Sequence, residues 1–132
     1  MFSHVMLGAD DIDASKKFYD ATLATLGVPP GRQDEKGRVF WMTRSGVFAL
    51  SKPIDGKPAS CGNGSTVGFA ADSPEQVHAW HEAGLASGGT AIEDPPGIRS
   101  GTIGKLYLAY LRDPSGNKLC ALHRLPRDEE QA

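Results

Sequence analysis

Residues 4 to 27 and 66 to 89 carry one pattern twice, His4-Val5-Met6-Leu7-Gly8-Ala9-Asp10-Asp11 against Thr66-Val67-Gly68-Phe69-Ala70-Ala71-Asp72-Ser73, at a constant offset of 62 (66 − 4). Carried on without a gap, the same offset sets Phe18-Tyr19 against Trp80-His81, Leu23 against Leu85, and Leu26-Gly27 against Gly88-Gly89. Each copy reads as strand, tight turn, helix and glycine stop. A unit of this kind cannot bury its apolar face alone, so two copies must pack into one body. The seam between them is the expected seat of a ligand.

Within the first copy, His4 to Gly8 alternates with period 2, which puts His4, Met6 and Gly8 on one face and Val5 and Leu7 on the face toward a helix. Asp10 or Asp11 is placed to cap that helix, whose buried stripe is Ile12, Ser15, Tyr19, Leu23 and Leu26. Gly27 stops it, and Pro29-Pro30-Gly31 prevents a restart. Residues 38 to 43 and 46 to 52 read as two strands joined at Arg44-Ser45, and the Gly-, Pro- and Ser-rich stretch from Pro53 to Ser65 reads as the linker. In the second copy Ser73 caps, Pro74 takes the first helical position and Gln76 reaches back; the helix should run to about Ser87. Leu106 to Arg112 and Lys118 to Arg124 read as strands around the turn Asp113-Pro114-Ser115-Gly116-Asn117, while Pro95 to Gly101 reads as a loop. The polar tail from Pro126 through Arg127-Asp128-Glu129-Glu130 is expected to fray.

A chain of 132 residues with 39% apolar residues fits one compact domain. Fourteen Lys and Arg against sixteen Asp and Glu leave a net charge of −2, too little positive field to hold a phosphate backbone, so nucleic acid is not an expected partner. The N-terminal residues run straight into a strand pattern, and nowhere do about 18 apolar residues follow one another, so a cytoplasmic location and no membrane partner are expected. Cys61 and Cys120 match neither a disulfide framework nor a metal or redox spacing and are read as reduced thiols.

Four segments recur in a telling order: His4-Val5 at the start, Asp11-Ile12-Asp13 before Phe18-Tyr19, Gly62-Asn63-Gly64 before the second copy, and Arg112-Asp113-Pro114-Ser115-Gly116-Asn117-Lys118 before the last strand. From His4 to Arg124 the chain thereby resembles the glyoxalase, bleomycin-resistance and extradiol-dioxygenase family, also called the vicinal oxygen chelate superfamily. Its Gly-Asn-Lys-Leu-Cys stretch is similar to that of a sub-branch of small bacterial members. The resemblance implies an α+β fold: two tandem βαβββ modules forming a half-open, cup-shaped mixed sheet with helices on the outside. Repeat one would cover about 1–53, the linker 54–64 and repeat two about 65–125. It also implies a homodimer and a divalent metal held by His on the first strand and Glu on the last strand of a repeat. In this sequence His4 fits the first-strand position of repeat one, and its repeat-two counterpart is Thr66. The last-strand positions fall at Cys120 and near Ala49. A catalytic metal needs about three protein ligands, and Thr and Ala do not supply the missing ones.

Alternation assigns His4, Met6, Thr66 and Gly68, and Lys118, Cys120 and Leu122, to the hollow of such a cup. His4 is a candidate proton donor or acceptor, or else a histidine bonded to nearby backbone. Cys120 is a candidate nucleophile, or else a small apolar filler without a neighbouring base. Phe40, Trp41, Tyr107 and Tyr110 lie on the wall strands, where rings suit a planar ligand, although half of them must face a helix or solvent. Arg99, in its loop, is a candidate anion anchor. His123 points away from Cys120, Trp80 is expected on the sheet, and His78 or His81 in solvent. These residues describe a small-molecule-binding protein with a degenerate, metal-free site and no cofactor. The alternatives are a lyase or isomerase with His4 as general base, or a metal-dependent, dioxygenase-type enzyme that completes its ligand set from water or a partner chain.

Overall fold

The twice-written helix is where the repeat is most regular. In the computed structural model, which describes residues 1–126, α1 spans Ile12–Ala24 and α2 spans Pro74–Ala86, 13 residues each and offset by the same 62 positions (74 − 12). Both start by the expected chemistry. Asp11 accepts the Ala14 amide at 3.0 Å, and Ser73 accepts that of Gln76 at 3.2 Å, ahead of Pro74 at the helix start. Gln76 does reach back, but to the Asp72 amide at 2.7 Å, one residue before the cap. Asp10 is left free for another task and accepts the Ala59 amide at 2.5 Å, pinning the linker to the first turn.

Nine strands flank these helices in two mixed sheets. β1 (His4–Gly8), β2 (Arg32–Gln33), β3 (Val39–Met42) and β4 (Val47–Ser51) form the first, in the order β1-β4-β3-β2 with β1 parallel to β4. β5 (Val67–Ala70), β6 (Thr90–Ala91), β7 (Gly97–Gly101), β8 (Gly104–Arg112) and β9 (Lys118–Arg124) form the second, in the order β5-β9-β8-β6, with β7 also on β8 and β5 parallel to β9. This is the expected α+β arrangement of two tandem βαβββ-like units whose sheets do not close.

Three strands have no counterpart in the sequence reading. β2 and β6 are two residues long, too short to show a period. β7 lies in the segment read as a loop because of Pro95-Pro96-Gly97. The exposed edge of β8 supplies the ladder that the composition does not advertise, pairing Gly97 with Leu108 and Arg99 with Leu106. The segment Arg127 to Glu130, expected to fray, lies outside the described residues.

The core spans both copies. Phe18, Tyr19, Trp41, Leu50, Val77, Trp80, Leu111 and Leu119 are almost wholly withdrawn from solvent in one cluster between the helices and the two sheets. A polar knot joins the copies inside it. The buried Asp113 carboxylate accepts the Tyr19 hydroxyl at 2.5 Å, the Asn117 amide nitrogen at 2.9 Å and two backbone N–H groups, while Asn117 Nδ2 also donates to Gly8 O at 3.0 Å. Burial, with Asp113 beside it, raises the Tyr19 phenol well above its ordinary value. A raised folded-state value means that the stability this group contributes is whole below about pH 10 and is lost as the pH rises further, because only the unfolded chain ionises there. Thermal unfolding at rising alkaline pH is therefore expected to lose less for Tyr19→Phe than for the parent protein.

Candidate functional site

Register fixes which residues of the two sheets correspond. Across β1, β4 and β3, Met6 pairs with Ala49 and Ala49 with Phe40; across β5, β9 and β8, Gly68 pairs with Cys120 and Cys120 with Tyr110. Ala49 and Cys120 thus occupy equivalent places, at an offset of 71 (120 − 49), nine more than that of the helices because the intervening loops differ. Phe40 and Tyr110 also correspond, and each carries a cation over its ring: Arg38 at 5.5 Å and Lys118 at 5.1 Å. All six residues point to the face away from the helices.

The first row is filled by Met6, whereas in the second Gly68 has no side chain and Cys120 Sγ takes up the place, 3.2 Å from where an added Cβ would sit. Cys120 is only 7% exposed, and burial pushes its thiol up, with Lys118 opposing and Glu93 adding to the shift. It is a protonated filler rather than a ready thiolate. Burial likewise raises the Tyr110 phenol, helped by Cys120 and Glu93 and opposed by Lys118 and Arg99, so it remains a neutral donor.

At the seam between the copies lies a cavity of about 350 Å³. Its lining mixes residues from both faces of the sheets: His4, Val47, Gly68 and Ala70 from the hollow side, and Val5, Phe48, Val67 and Phe69 from the helix side. The cavity is therefore a slot between the unpaired edges of β1 and β5, with an apolar floor completed by Leu23, Leu26 and Val28. His4 stands exposed at its rim and shares a 2.7 Å hydrogen bond between Nδ1 and the Ser3 hydroxyl, not a backbone group.

Two aromatic residues placed on the ligand wall by sequence turn out to serve the core. Trp41 is 0% exposed, packs on Tyr19 and Phe48, donates from Nε1 to Asp20 at 3.0 Å, and only edges the floor of the slot. Tyr107 faces the helix side, where its hydroxyl shares a 2.7 Å bond with His78 Nε2. Alternation forces this outcome, since Phe40 and Tyr110 took the other face. Trp80 is buried on the sheet side next to Phe69, His78 is exposed, and His123 bonds Ala71 O on the face opposite Cys120. Arg99 is a strand residue rather than a loop charge, and its Nη2 donates to Asp94 O at 3.0 Å and Pro95 O at 3.1 Å. Thr66 lies exposed just before β5. Residues that the sequence reading passed over include Phe48, Phe69 and Val28 in the slot; nothing in their spacing separates them from ordinary core.

Among the described residues, no three His, Cys, Asp or Glu side chains converge in a way that holds a metal ion, and none of the helices is long and apolar enough to cross a membrane. Both cysteines are free.

Comparison with known proteins agrees with this architecture. The chain is similar, at 61% identity and a TM-score of 0.91, to the crystal structure of a glyoxalase/bleomycin resistance protein from Albidiferax ferrireducens T118, over 94% of this chain and 99% of that one. A glyoxalase-related enzyme from Fulvimarina pelagi shares 18% identity at a TM-score of 0.71, covering 94% of this chain and 88% of that one. A lactoylglutathione lyase from Agrobacterium tumefaciens shares 22% at 0.65, covering 93% and 92% respectively; likenesses at this level show the fold alone. No curated protein matches. With residues 1–121 also matching the sequence model for the family, the chain belongs to the Glyoxalase/Bleomycin resistance protein/Dioxygenase superfamily.

Proposed function

We propose that this protein binds a small organic molecule at the seam of its sheets without a metal ion, as a cytoplasmic homodimer in which each chain contributes walls to a shared site. The observation that carries the reading is the donor set. Of the four positions where the superfamily would place metal ligands, Ala49 has no donor, Thr66 offers only a hydroxyl, and the Cys120 thiol is held protonated by burial, which leaves the His4 imidazole. These residues do not fit a divalent ion. What supports a ligand in its place is the apolar slot between the sheets, large enough for a small molecule. Phe2, Met6 and Met42, 74%, 40% and 61% exposed, support a partner surface next to it. The Albidiferax relative is a glyoxalase/bleomycin resistance protein, a class that joins enzymes and resistance proteins, and the donor set here favours binding.

His4 gives a second reading some footing. With Nδ1 engaged by Ser3, its Nε2 is left for a substrate proton, as a lyase or isomerase would need. One set of measurements tests the metal-free binding reading. Protein purified without chelator is expected to carry less than about a tenth of an equivalent of nickel, zinc or manganese, its melting temperature is expected to be unmoved by EDTA, and a planar probe, 2-naphthoate or its amide, should saturate it one per chain. Stoichiometric metal that disappears in His4→Ala would overturn the proposal.

A further inference from the structure

The duplication gives the seam two ends, and they are not alike. β1 and β5 each form the outer strand of a sheet. The bonds from Ala9 N to Ser51 O (3.0 Å) and from Ala71 N to Leu122 O (2.8 Å) fall at equivalent places in the two copies. Alternation along these ladders turns the backbone groups of Met6 and Gly8, and of Gly68 and Ala70, away from the neighbouring strand and toward the seam. One end of the seam is the cavity already described, where Gly68, Phe69 and Ala70 share the lining with Gly46 and Val47. The other is a smaller hollow of about 240 Å³, where the counterparts Met6, Leu7 and Gly8 share it with Asn117 and Lys118 and with three linker residues.

The turns beside the two ends also correspond, since Thr43 N donates to Gly46 O at 3.0 Å and Asp113 N to Asn117 O at 3.0 Å. At the smaller end Asn117 Nδ2 donates to Gly8 O at 3.0 Å. At the larger end the equivalent carbonyl is Ala70 O, and Gly46, standing where Asn117 stands, has no side chain to donate.

We infer that the seam cavity takes an uncharged organic molecule with an amide N–H, which donates to Ala70 O as the Asn117 side chain does to Gly8 O, its apolar body resting on Leu23, Leu26 and Val28. The inference rests on the small-molecule reading above and adds the class of ligand. A second observation sets the charge. No Lys, Arg, Asp or Glu lines this cavity, and its one titratable side chain is His4 at the rim. An ion placed there gives up its water without gaining a counter-charge, whereas an apolar amide loses little and finds an acceptor. A carboxylate or an ester offers Ala70 O only further acceptors.

The test uses three probes of one shape, 2-naphthamide, methyl 2-naphthoate, which is neutral but has no N–H, and anionic 2-naphthoate. Each is titrated calorimetrically into the full-length protein at mildly alkaline pH. The amide is expected to bind about three- to tenfold tighter than the ester and at least about tenfold tighter than the carboxylate. Its affinity should not change with added salt. In the parent protein the Ala70 carbonyl carbon resonance should move downfield with the amide and stay in place with the ester, while that of Gly8, already bonded by Asn117, should not move. Val28→Trp, which enlarges a half-buried residue of the floor into the cavity, should weaken amide binding at least about tenfold. Ester or carboxylate binding as tight as that of the amide, or an Ala70 resonance that stays put under saturating amide, overturns the inference and leaves the small-molecule reading in place. Failure of all three probes to bind overturns both.

Discussion

Asp113→Ala is expected to lower the unfolding free energy by about 3–5 kcal/mol, read as a fall in the urea midpoint at unchanged slope. Four donors converge on this carboxylate, and Asp113 is 3% exposed. Removing it leaves the Tyr19 hydroxyl, the Asn117 amide and two backbone N–H groups buried without an acceptor. Because Asn117 also holds Gly8 O, the loss spreads from the turn before β9 into the end of β1, so both copies feel it. Tyr19→Phe deletes one of the donors together with its hydroxyl and is expected to cost only about 1–2 kcal/mol. A drop of the same size in the two variants would show that the knot is not the link between the repeats.

Trp41→Ala should be nearly as damaging, at about 3–5 kcal/mol, whereas Phe40→Ala should cost no more than about 1.5 kcal/mol. Neighbours in sequence, the two rings sit on opposite faces of β3. Trp41 is enclosed by Tyr19 and Phe48, with its indole N–H on Asp20, while Phe40 is half exposed under the Arg38 guanidinium. Burial raises the Asp20 carboxyl, but hydrogen bonds from Lys16, the Gly31 amide and the Trp41 indole outweigh it and leave it below the ordinary value. A lowered folded-state value contributes stability above about pH 4 that is lost as the pH falls further. Trp41→Ala, which removes one of those bonds, should therefore also flatten the acid limb of the stability profile. Chemical unfolding of the two alanine variants at neutral and acid pH checks both statements; comparable losses would mean that Trp41 lies on the ligand wall after all.

These two residues mark the border of what could be read without coordinates. The helices, their caps, the glycine stops, β9 and the pairing of the two copies follow from local rules: an oxygen-bearing residue before a helix, proline in its first turn, and an apolar stripe at spacings of three and four. Alternation alone separates Phe40 from Trp41 and Tyr107 from Tyr110, but it does not say which of the two faces belongs to the core. That is set by where α1 and α2 pack, which joins residues many tens of positions apart, as in the contact of Tyr19 with Asp113. The strand β7 exists because β8 offers it an edge, and Arg99 became a tethered strand cation for the same reason.

The amino-acid order by itself determined the duplication, the superfamily and which residue types, Thr66 and Cys120 among them, stand at the positions compared with metal ligands, because each depends on residue type at a fixed spacing. Only the tertiary structure decided that β1 and β5 leave a slot between their edges, that the buried Cys120 thiol stays protonated, and that, among the described residues, carbonyls rather than carboxylates hold three of the arginines. Cavities, desolvation and the choice of hydrogen-bond partner are properties of atoms brought together across the chain, and no local pattern encodes them.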